Sequence, residues 1–201
     1  MNEEEVILEQ KIRYKYYVSF VALIAMGLAV LFIVTLGYYP IVFVNNHFIS
    51  QHEFMREYAA ASRYYQNIST TYKPFIASSS PETPADIETA VLNLLIDKNL
   101  IHDGASHEAG SDLFGLVQNK IGPLAGDTQL ATAAQSLYGF TYAEFHDEIL
   151  VPQAEEEVLS GRLFAKGEKI EDWLASARKF AHVVLLSRGY SWDGTKIVAN
   201  N

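Results

Sequence analysis

Apolar residues run from Tyr16 to Tyr39 as YYVSFVALIAMGLAVLFIVTLGYY, and no Asp, Glu, Lys or Arg occurs between Lys15 and Glu53. As a helix the run from Tyr16 to Tyr39 rises about 36 Å, more than the roughly 30 Å of a bilayer's hydrocarbon core. Ser19 and Thr35 make no polar stripe, so the pattern predicts a transmembrane helix over 16–39 and not the buried helix of a soluble core. Tyr16, Tyr17, Tyr38 and Tyr39 stand at its two ends, where aromatic rings favour the headgroup layer. A cleavable signal would be shorter and end in small residues, whereas this run continues through Ile33, Val34 and Leu36 to tyrosines and Pro40. A retained anchor, stopped by Pro40, is expected. Lys11, Arg13 and Lys15 precede the span and the next basic residue is Arg56. That bias places residues 1–15 in the cytoplasm and residues 40–201 outside it.

Beyond the span, the alternation of PIVFVNNHFIS predicts two short strands turning at Asn45-Asn46. Ser50 and Glu53 form a capping box for a helix whose apolar stripe is Phe54, Tyr58, Ala61 and Tyr65. Ser69 to Pro84 has turn residues and no period, and reads as a loop. Ile87, Val91, Leu94, Leu95 and Ile101 predict a second long helix ending near Gly110. Two shorter helices are expected over 112–121 and 127–137, separated by Gly122-Pro123 and closed by Gly139. Thr141 and Glu144 cap a helix running to about Phe164, with Phe145, Ile149, Val158, Leu159 and Leu163 inward and a kink at Pro152. Ile170, Trp173, Leu174, Ala177 and Ala181 mark a last helix, followed by a strand over Val183 to Leu186. The strand signals at 41–44 and 183–186 lie at opposite ends of the outer domain and are expected to pair and close it. Trp192-Asp193-Gly194 turns the chain towards a further strand at Lys196 to Val198.

The fold class is therefore mainly α: one transmembrane helix, then a single helical domain closed by a few short strands. Residues 40–201 carry 12 Lys plus Arg against 20 Asp plus Glu, a net charge of −8 with histidine neutral. Such a domain repels phosphate backbones and anionic lipid headgroups, so nucleic acid is not an expected partner and the domain is expected to stand off the membrane surface. The chain has no cysteine, which excludes disulfides and thiolate chemistry.

Catalytic chemistry finds little support. His47 and His52, like His102 and His107, are five apart and diverge by about 140° on a helix, so no metal site is expected. Neither a GxSxG elbow nor a phosphate-binding glycine signature occurs, and Glu155-Glu156-Glu157 fans out as a solvated face. No catalytic residue and no cofactor is expected. Tyr64, Tyr72 and Phe75, beside or within the predicted loop, remain as candidates for binding apolar segments of other chains.

FVNNHFISQHEF at 43–54 resembles the V-N-G-x-x-I-S-x-x-E-F opening of the SurA/PpiD-type extracytoplasmic chaperones, with Asn46 in place of the usual glycine. VLNLLIDKNLIHDGASHEAG at 91–110 and LYGFTYAEFHDEILVPQAEEEVLSGRL at 137–163 are similar to that family's later helices. WLASARKFAHVVLL at 173–186 resembles its closing helix and strand. Only Phe164 to Lys169 separate the long helix from the closing helix, which leaves no room for the parvulin isomerase domain that many members insert there.

The resemblance implies a helical chaperone core without a catalytic insert. The expected function is a membrane-anchored, non-catalytic chaperone binding unfolded or nascent secreted and membrane proteins, held in the plasma membrane through residues 16–39. A structural subunit using the same domain as a fixed scaffold in a membrane complex is the alternative. A prolyl isomerase is the third.

Overall fold

The computed structural model describes the backbone of residues 3–71, 83–187 and 189–200. It divides into two compact units, residues 1–39 and residues 40–201.

The first unit is one helix, α1 (Glu3–Thr35). Its segment Lys15–Thr35 has a mean hydropathy of 2.7 and none of it is buried. At 1.5 Å per residue those 21 residues rise about 31 Å, still the thickness of a hydrocarbon core. The helix stops before the proline expected to end it. Gly37 takes a left-handed φ of 73°, its amide donates to Val34 O, and the Tyr38 amide reaches back to Ile33 O. This is a Schellman closure, which a residue without Cβ satisfies at no steric cost. Tyr38 and Tyr39 thus follow the helix instead of ending it.

The second unit starts as a hairpin, β1 (Pro40–Val44) and β2 (His47–Ser50). Val44 pairs with His47, so Asn45 and Asn46 are the whole turn, and Asn45 supplies the positive φ of 52°. The strand β3 (Val183–Leu185) joins β1 antiparallel, with Phe43 opposite Val184. Sequence ends of the domain meet here, in a sheet of order β2-β1-β3. A second, two-stranded sheet pairs β4 (Tyr190–Trp192) with β5 (Ile197–Ala199).

Eight helices build this chain in all among the described residues. Between β2 and β3 run α2 (Gln51–Thr71), α3 (Pro84–Ala109), α4 (Leu113–Ile121), α5 (Thr128–Leu137), α6 (Tyr142–Phe145), α7 (Val151–Ala165) and α8 (Ile170–Phe180). The expected loop begins later than Ser69, since α2 continues to Thr71. Thr83 caps α3 in a reciprocal box with Asp86, and Thr141 caps α6 in the same way with Glu144.

Helix α3 is the spine. It packs against α2, α4, α7, α8, β1 and β5, and so buries Leu92 and Ile96 as well as Val91 and Leu95. A single stripe does not describe a helix with neighbours on several sides, and Leu94 of the expected stripe is 44% exposed. The first half of α3 shares a core with the sheet, Phe54 and Ile197. Its second half shares one with α4, Phe140, Phe145 and α7.

The kink expected at Pro152 is a π-helical turn over His146–Leu150, joining α6 to α7. Pro152 has no amide to give to the Glu148 carbonyl, and widening the preceding turn absorbs that loss. The extra residue also rotates the face, so Leu150 is buried and Ile149 only half-buried.

Candidate functional site

An open cleft of about 260 Å³ lies between the sheet, α2 and β4. Ile41, Phe54, Met55, Leu92 and Leu185 give it apolar walls, and Glu88 and Tyr190 line its polar side. Ile41 and Val42 both line it, next to a register shift at the start of β1, and Phe54 and Met55 reach it from adjacent positions at the start of α2. Phe54 is buried in the core, whereas Met55 is 48% exposed. The Tyr190 hydroxyl donates to the Glu88 carboxylate, and burial together with that bond pushes the tyrosine up to about 12. Tyr190 is therefore a neutral donor to Glu88. The cleft is smaller than the roughly 300–1,000 Å³ of small-molecule pockets and suits one or two apolar side chains.

Beside it, α2, α3 and the π turn bury a charge cluster. Glu57 is only 4% exposed, and its Oε1 accepts from Lys98 Nζ at 2.6 Å. The same ammonium lies 3.6 Å from Glu148 Oε2, and Arg56 donates to the other oxygen of Glu148. Burial above all, then the hydrogen bond with Glu148, pushes Glu57 up to about 7 against the pull of Lys98. Sequence patterning missed this cluster, because a glutamate inside an apolar stripe gives no periodic signal. Lys98 and Glu148 reach a side cleft of about 190 Å³ walled by Leu94, Ile101 and Pro152. The ion pairs of Glu57, Lys98, Glu148 and Arg56 join α2, α3 and the π turn at one point.

The histidine pairs behave differently from their spacing. His47 and His102, one from each pair, meet edge to face with ring centroids 6.1 Å apart. Each faces its own carboxylate, His47 with Asp103 at 2.7 Å and His102 with Glu155 at 3.0 Å. Among the described residues no group of three or more His, Asp or Glu is arranged to hold a metal.

Of the residues proposed to hold other chains, Tyr64 is half-buried and stacks on Tyr138 at 5.3 Å, nearly parallel. Tyr138 stacks in turn on Phe140 and touches Phe145, so Tyr64 belongs to an aromatic ladder tying α2 to α6. Tyr72 and Phe75 lie outside the described residues. Tyr16 and Tyr17 are exposed on α1, and Tyr38 and Tyr39 are exposed after it. Lys15 is exposed at the start of the apolar segment, while the side chains of Lys11 and Arg13 lie outside the described residues. Comparison with protein-family models, curated proteins and solved structures finds no match for this chain.

Proposed function

We propose that the protein is a membrane-anchored, non-catalytic chaperone or folding factor of the SurA/PpiD type, which holds unfolded or newly translocated segments outside the cytoplasm. The observation that carries this reading is the apolar cleft beside the sheet, open to solvent in a domain that follows a wholly exposed apolar helix. A site for non-native chains must offer apolar surface before its occupant arrives and make few demands on sequence. The cleft meets both conditions. Helix α1 supplies the anchor in the plasma membrane, and Lys11, Arg13 and Lys15 keep its start on the cytoplasmic side. The hairpin leading into α2, and the strand returning from α8, agree with the order of the resembling segments.

The test uses the full chain in mild detergent with an aggregating, unfolded model protein. Suppression of aggregation is expected, and Met55→Lys, which puts a charge at the cleft mouth, should weaken it without unfolding the domain. No suppression at several-fold molar excess refutes the reading. Crosslinking in intact membranes separates it from a fixed scaffold: many faint adducts are expected, and one stoichiometric adduct favours the scaffold.

A further inference from the structure

The outer face of the three-stranded sheet is apolar and uncovered. Val42, Val44 and Ile49 point into the core and are fully buried, so by alternation Phe43 and Phe48 beside them face the other way. Phe48 and Phe43 are directly opposed across β2 and β1, and Val184 is opposite Phe43 on β3. Phe48 is 56% exposed, Phe43 37%, Val184 39% and Leu186, two residues past Val184, 56%. The two phenylalanine rings lie 6.5 Å apart. This stripe crosses every strand of the sheet, unlike the scattered apolar residues that any surface carries.

Charge points the same way. The domain is acidic, yet residues 40–52 contain no Asp, Glu, Lys or Arg, and neither do residues 181–187. The whole sheet is therefore an uncharged window in a charged surface. Chain length adds a second constraint: Pro40 of β1 follows Thr35 of α1 by five residues, at most about 18 Å of extended chain. With α1 in a bilayer, the first strand cannot leave the neighbourhood of the headgroups.

We propose that this face, formed by Phe43, Phe48, Val184 and Leu186, rests on the headgroup layer of the bilayer that holds α1. The inference rests on the anchor reading above. Aromatic side chains prefer that layer, and a surface without net charge enters it without the repulsion that the rest of the domain would meet. Docking also turns the cleft-bearing side of the sheet away from lipid, because Val42 lines the cleft from the opposite face.

The native chain has no cysteine, so single-site labels report cleanly. An environment-sensitive fluorophore is attached in the full chain at Phe48→Cys, Val184→Cys, Leu23→Cys or Phe114→Cys, and each is reconstituted in phosphatidylcholine vesicles containing lipid spin-labelled in the headgroup region together with lipid spin-labelled along the acyl chain, which reaches the depth of Leu23. Leu23 lies on the apolar helix, and Phe114 is an exposed site on α4. Quenching at Phe48 and Val184 about twofold or more above that at Phe114 is expected. If the Leu23 label is quenched while the Phe48 and Val184 labels match Phe114, the docking is wrong and the anchor stands. If the Leu23 label is not quenched either, anchor and docking fall together. If the Phe48 and Val184 labels are shielded from aqueous iodide but not quenched by lipid, and Phe48→Cys crosslinks two copies, the face binds a second copy and the docking is wrong. Two label sites guard against a local disturbance of the hairpin by either one.

Discussion

Glu57→Gln tests the buried charge cluster through the pH dependence of stability. The carboxyl is raised from 4.5 to about 7 in the folded chain. The folded state therefore binds this proton more tightly than the unfolded state. Its stabilising effect is complete below pH 4.5 and is lost as the pH rises through about 7. A shift of this size corresponds to about 3 kcal/mol. Glu53, also raised chiefly by burial, acts in the same direction. Glu144, held low by hydrogen bonds at the Thr141 cap, titrates below this window. Urea unfolding of the full chain in non-ionic detergent, followed by fluorescence, reads only the outer domain, because both tryptophans, Trp173 and Trp192, lie there. The wild type should lose about 2–3 kcal/mol between pH 5 and pH 8. Glutamine keeps the hydrogen-bonding shape without the charge, so the variant should match wild type at pH 5, exceed it at pH 8 and show a flatter profile. A wild-type stability that is flat or rises over that interval would refute the argument, and would mean that Lys98 keeps Glu57 ionised throughout.

Gly104 faces the Trp173 ring so closely that a methyl there would come within 2.5 Å of two ring carbons. Gly104→Ala should cost about 1–3 kcal/mol and shift the tryptophan emission as α8 is displaced. The Asn93 side chain accepts from the Ile197 amide at 2.7 Å and donates to Thr89 O at 2.9 Å, fixing β5 to α3. Asn93→Ala strands that amide beside a buried residue and should lower stability by about 1–3 kcal/mol, with the fastest amide exchange appearing in β4 and β5. Tyr64→Ala removes one ring of the aromatic ladder and should lower stability by about 1 kcal/mol of lost stacking, read as a lower melting temperature. An unchanged melting temperature would return Tyr64 to the surface role expected from the sequence.

Local signals were legible where they had local causes. The turn at Asn45, the Thr141 cap and the break at Gly122-Pro123 depend on a few adjacent residues, and each appears where the pattern places it. The closure of β1 on β3 was readable too, because two charge-free β-type runs have few other places to go. What escaped depends on distant partners. Glu57 is buried because Lys98 and Glu148 meet it, the Tyr64 stack needs Tyr138, and His47 meets His102 only in the fold. The breadth of the buried face of α3 follows from its central position, which no stripe in its own sequence records. Pro40 was expected to stop α1, but a left-handed glycine three residues earlier does so first. Of the cleft, Phe54 stood out as a core position, while Met55, Glu88 and Tyr190 converge from three separate elements.

Joining the first strand of the domain to a strand some 140 residues later has a kinetic price. A chain synthesised from its N-terminal end presents β1 early and β3 nearly last. Until residues 183–185 emerge, the inner edge of the hairpin has no partner and its backbone groups stay wet. Pairing at such long range is slow relative to helix formation. The helices can therefore form while the clasp is still open, and maturation of the domain waits on the arrival of residues 183–201.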